Sequence, residues 1–175
     1  MKLIIIAALL AWSAAGACAQ ETAPYAGAHE QAIAALPASR IEALRRGEGL
    51  GYALSAELNG WPGPLHVLEL AQTLRLSPDV VEDVRAIRQG MLAKAIPLGE
   101  ALIAAEVSLD DLFDGDAQPS AVSAATQKAA RIEAQLRAVH LNAHLKTAPL
   151  LTRHQRMLYA RARGYADATH HPSHH

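Results

Sequence analysis

The chain has 175 residues, a formal net charge of −1 and an aromatic content of 4%. Near-neutrality excludes the basic footprint that a nucleic-acid partner demands, and scarce aromatics beside abundant alanine favour close-packed helices over a β-sandwich. A single cysteine, Cys18, excludes a disulfide scaffold.

Lys2, the apolar run Leu3 to Trp12 and the small-residue triplet Ala17-Cys18-Ala19 read as an export signal in residues 1–19, cleaved after Ala19. That run is too short for a good membrane span, and no later stretch suits one. The expected product is a periplasmic protein without a thiol. Lipidation of Cys18 is the rival reading, but the leucine usual three positions before such a cysteine is missing. Residues 20–37 read as a flexible arm, 38–165 as one helical domain, and 166–175 as a disordered tail.

Within the domain, Ala38-Ser39 opens a first helical region in which Ile41, Leu44, Leu50, Leu54 and Leu58 recur at helical spacing. Asn59 to Pro64 breaks it, with Gly60 suited to a left-handed C-terminal cap and Pro64 to the first turn of a short second helix ending near Arg75. Ser77-Pro78 caps a long third helix. Its apolar positions Val84, Ile87, Met91, Ala95, Leu98, Leu102, Ala105, Leu109 and Leu112 step by three and four, which is the seam of a helical hairpin. Pro97 lies inside it and should kink it. Asp114 to Ser120 forms the turn, a fourth helix runs from about Ala121 to Thr147, and Pro149 ends it. A fifth starts at Thr152 and fades near Gly164. There Leu151, Thr152 and Gln155 set up a capping box, Thr152 as N-cap and Gln155 at N3. The expectation is an all-α fold of four to five helices built on a long hairpin, with two apolar sides on the fourth helix that suit a homodimer.

No catalytic triad or paired carboxylates in a recognisable pocket emerge, so the reading is a non-enzymatic one without an organic cofactor. Gly47-Glu48-Gly49-Leu50-Gly51 lacks the strand and the Lys-Ser/Thr of a phosphate loop. The acidic run from Asp110 to Asp116 lacks calcium-loop spacing. The histidines carry the functional reading. His140 and His144 stand one helical turn apart and can face one metal ion. Two imidazoles are an incomplete site, so a third ligand would come from Glu133, His66, Glu69, a tail histidine or a second subunit. Arg137 works against the pair, since it can bind Glu133 and place positive charge nearby. The competing reading is a solvated helix edge. His66, in the first turn of the second helix, is biased toward its neutral form, although Trp61 and Leu65 suggest packing instead. The tail histidines His170, His171, His174 and His175 can capture Zn, Ni or Cu weakly; an unselected tail is the alternative.

An exported chain of this size, with Leu151-Thr152-Arg153-His154-Gln155 (LTxxQ) at one helix start and the partial copy Leu76-Ser77-Pro78-Asp79-Val80 at another, resembles the Spy/CpxP group of periplasmic proteins. The block Gly49 to Leu70 is similar to a segment of proteins described as periplasmic heavy-metal sensors. The resemblance spans about residues 38 to 165. It implies a helical hairpin, a homodimer, and one of two roles. One is binding of Zn, Ni, Co or Cu for sensing or sequestration, as in the CnrX-like and ZraP-like branches, with envelope sensor proteins as partners. The other is ATP-independent holding of unfolded periplasmic proteins on a dimeric cradle. The early histidine pair of CnrX-like sensors is missing here, since His29 stands alone, and no membrane anchor is visible.

Overall fold

The computed structural model describes Tyr25 and residues 31–165. The expected export signal and the four tail histidines lie outside the described residues. Those described form six α-helices and no strand: α1 (Ala38–Arg45), α2 (Leu54–Leu58), α3 (Pro64–Glu69), α4 (Pro78–Asp111), α5 (Pro119–Thr147) and α6 (Arg153–Ala162), with a 3₁₀ turn at Ala148–Leu150. No helix among them is long and apolar enough to cross a membrane.

The all-α hairpin is therefore present, built from α4 and α5. Local chemistry sets its boundaries. Ser77 accepts from the Val80 amide at 3.4 Å and Pro78 fills the first helical position of α4. Pro119 does the same for α5. The 34-residue α4 continues through Pro97 without an interruption. Along the expected seam, Val84, Ala95, Leu102 and Ala105 are fully buried, while Ile87, Met91 and Leu98 are half-buried. Gly99 sits among them because α1 crosses there: a Cβ at Gly99 would lie 2.5 Å from the Leu44 carbonyl oxygen. Small residues let two helix axes approach where larger ones would hold them apart.

The amino-terminal third differs from its sequence pattern. Ile41 and Leu44 pack inward, but Leu50, Leu54 and Leu58 are exposed. The helical period does not carry through, because α1 ends at Gly47, with φ +64°, and the chain turns before α2 begins. The Glu48 amide reaches back to the Ala43 carbonyl at 2.9 Å and the Gly47 amide to Leu44 at 3.0 Å, the paired bonds of a left-handed helix stop. Packing also starts earlier than expected: Ile33 and Leu36, within the segment read as an arm, are buried in the core. The amide of Ala34 donates to Asp110 at 2.7 Å.

Two apolar clusters result. One lies along the hairpin under α1 and includes Leu36, Leu44, Tyr52, Leu102, Ile103 and Leu136. The other gathers Val67, Leu74, Val84, Leu151 and Tyr159 where α3, α4 and α6 meet. Truncating a fully buried leucine such as Leu102 or Leu136 in such a core costs roughly 2–5 kcal/mol.

Docking of α6 depends on the capping box. The Thr152 hydroxyl accepts from the Gln155 amide at 3.2 Å, and the Gln155 side chain accepts from the Thr152 amide at 2.9 Å. The same Gln155 side chain donates to the Leu74 carbonyl at 3.1 Å. Thr152 and Gln155 thus start α6 together and Gln155 attaches it to the turn before α4, while the buried Leu151 anchors it in the second cluster.

Candidate functional site

Three helices and one loop line a single cleft of about 680 Å³ that holds His66, His140 and His144. Its floor is the α5 face carrying His140 and His144; its walls are the turn after α1, the start of α3 with His66, and α4 at Arg88, Met91 and Leu92. The sequence pair and the distant His66 therefore meet in one space. They do not meet around one point: among the described residues, no three His, Cys, Asp or Glu side chains are placed to share a metal ion.

The stop of α2 fixes the ring of His144. Gly60 has φ +78°, its amide bonds Glu57 at 3.4 Å, and the Trp61 amide bonds Ala56 at 3.0 Å. That closure turns the Trp61 carbonyl toward α5, where His144 Nδ1 lies 2.7 Å away. A carbonyl only accepts, so Nδ1 carries a proton, and in the neutral ring Nε2 is the nitrogen that can bind a ligand. Gly63 makes room for the ring, since a Cβ there would fall 2.6 Å from His144 Cε1 and Nε2. His66 has the same polarity: its Nδ1 donates to Glu69 at 2.8 Å, so in the neutral ring Nε2 is the ligand nitrogen. Glu69 is thereby an orienting acceptor for His66.

His140 is enclosed, at 3% exposure. Its ring stacks on Tyr52 with centroids 5.8 Å apart. Burial, and then the neighbouring His144, lower its pKa below the ordinary histidine value, which favours the neutral imidazole. Its Nε2 is buried with no hydrogen-bond partner among the described residues. A buried ring nitrogen without a partner carries a desolvation cost that a ligand would relieve.

Glu133 is committed elsewhere. It binds Arg40 at 2.7 Å and accepts from the Tyr52 hydroxyl at 3.2 Å. The expected Arg137–Glu133 pairing is replaced by this one; Arg137 lies 6.0 Å over the Tyr52 ring. Arg40 outcompetes it because α1 crosses the hairpin at that point.

Behind the histidines sits a residue that the sequence reading did not single out. Glu57, 8% exposed, takes a hydrogen bond from the Tyr159 hydroxyl and lies 3.6 Å from both His144 Nδ1 and Arg163 Nε. Burial, and then Glu57, push the Tyr159 hydroxyl far above its ordinary pKa, so it stays a donor. The available signal was a lone acid inside the apolar stretch Leu54 to Leu58. Nothing local indicates partners 87 and 102 residues away, and Gly63 was marked only by its flanking prolines.

The donor set thus fits a borderline divalent metal in part. His140 and His144 offer nitrogen ligands from one helical turn, one of them with its other nitrogen fixed by a backbone carbonyl, as metal-binding histidines are. A third protein ligand is not supplied by the described residues. In comparisons with known proteins, no family model matches the chain, and no curated protein or solved structure matches it.

Proposed function

We propose that this is an exported, periplasmic protein of the Spy/CpxP type that binds a divalent transition-metal ion, such as Zn, Ni, Co or Cu, through His140 and His144. One observation carries the reading: the two rings share a face of α5, His144 is held through Nδ1, and His140 has a buried Nε2 without a partner. Such a site leaves coordination positions open, which suits sensing or sequestration by reversible capture. The α4–α5 hairpin and the Thr152–Gln155 capping box support the family reading.

Calorimetric titration of the protein with Zn, Ni and Cu tests it. Binding should weaken at least tenfold in a His140→Ala/His144→Ala variant. Unchanged affinity in that variant overturns the site, and loss of all binding on replacing only His170, His171, His174 and His175 assigns the metal to the tail.

A second reading, an ATP-independent chaperone, is favoured by the exposed apolar residues Leu50, Leu54, Leu58, Trp61 and Leu65, all between the end of α1 and the start of α3. It would hold unfolded clients, in a homodimer as the resemblance implies. Metal-free protein should then suppress aggregation of an unfolded client, and Leu54→Ser/Leu58→Ser should reduce that suppression. No effect of the wild type at stoichiometric excess ends this reading.

A further inference from the structure

The cleft has room for more than a hydrated ion. A divalent ion with six waters fills roughly 200 Å³, taking about 30 Å³ for each water. The cleft holds about 680 Å³. Its lining includes two guanidinium groups, Arg46 and Arg88, and one carboxylate, Glu48. Glu48 is bound to Arg46 at 2.7 Å, and Arg46 also pairs with Glu42 at 3.2 Å. Arg88 is half-buried and makes no ion pair or side-chain hydrogen bond among the described residues. Arg46 is thus offset by two carboxylates, while Arg88 is an unpaired guanidinium among the described residues of the lining, a charge that attracts an anion.

The geometry points to a metal that arrives already complexed: we propose that the cleft takes a divalent metal bound to a small carboxylate-bearing chelator, with His140 and His144 as nitrogen ligands and Arg88 as the carboxylate anchor. This rests on the metal reading above and supplies what that reading lacks. The chelator's oxygens fill positions for which the protein has no third ligand, and its surplus negative charge offsets Arg88. A planar guanidinium fork is the side chain best suited to gripping a carboxylate at two points.

The test compares NiCl₂ alone with a preformed one-to-one nickel citrate complex, by calorimetry on the full chain. All proteins carry His170→Ser, His171→Ser, His174→Ser and His175→Ser, which removes capture by the tail. Nickel citrate should bind at least tenfold more tightly than nickel alone. Arg88→Gln should abolish that advantage without weakening the binding of nickel alone, and Arg88→Lys should restore only part of it. Equal affinity for the two forms overturns the inference while leaving the histidine site standing, as does an advantage that survives in Arg88→Gln. If neither form binds, or if both bind equally well after His140→Ala/His144→Ala, the metal reading falls and takes the inference with it.

Discussion

Two stretches of α5, two helical turns apart, meet the amino-terminal helices in different ways. At Glu133 the polar groups close on one another: Arg40 and Tyr52 both bind the carboxylate, and Arg137 covers the Tyr52 ring. At His140 and His144 the network stays open. One ring hydrogen-bonds only through Nδ1, and the other has an unpartnered nitrogen beneath a cleft. The same helix thus contributes a structural clasp and a ligand-ready face. Sequence spacing alone cannot separate the two, because Glu133, His140 and His144 lie on one stripe.

The contrast can be broken most severely from behind. Glu57→Ala should destabilise the protein by roughly 3–5 kcal/mol, because it leaves the buried Tyr159 hydroxyl without its acceptor and Arg163 without its counter-charge. Urea denaturation measures this, and a loss below about 1 kcal/mol would mean the network behaves like an exposed ion pair. Gly63→Ala acts on the open face directly. Its Cβ would collide with the His144 ring, so nickel affinity should fall on the order of tenfold or more while the helical circular dichroism signal is retained. An unchanged affinity would show that His144 is not held where the ligand needs it.

Protonation offers a gentler perturbation. The pKa of His140 is lowered in the folded chain, so the unfolded chain takes up the proton first as pH falls. Its contribution to stability is complete above the ordinary histidine value of 6.5 and is lost as pH drops from there toward the lowered folded value. Metal-free protein should therefore lose stability as pH falls below 6.5, and His140→Gln should flatten that slope. An identical slope in the variant would assign the pH response to other groups. The smallest effect belongs to the closed clasp. Glu133→Gln, in a pair whose side chains are about 40% exposed, should cost no more than about 1 kcal/mol and leave nickel affinity unaltered. A tenfold loss of nickel affinity in this variant would erase the distinction between the two stretches.

What the sequence made legible follows from the range of the interactions. Ser77-Pro78 and Thr152 with Gln155 mark helix starts because a cap is satisfied within four residues. The seam from Val84 to Leu112 is legible because one face of one helix repeats it. The leucines at 50, 54 and 58 misled, since their spacing is helical but Gly47 stops the helix before them. The site is half legible for the same reason. His140 and His144 are neighbours in the chain, whereas Trp61, Gly63 and Glu57 reach them only after the segment through α2 and α3 folds back on α5. Glu133 has the right chemistry for a ligand, and only the crossing of α1 reveals that Arg40 already occupies it.

The Tyr159–Glu57 bond also has a consequence for the order of assembly. It joins residues 102 positions apart, and Gln155 meets Leu74 across 81. During synthesis the hairpin can zip as soon as α5 emerges, since its contacts grow outward from one turn. Glu57 has no such option: its carboxylate stays without the Tyr159 hydroxyl until the last helix has left the ribosome. Contacts of that sequence separation form late. The surroundings of His144, which include Glu57 at 3.6 Å, are thus completed only at the end of folding, and a chain truncated before α6 would hold the histidine pair beside a carboxylate that lacks its Tyr159 partner.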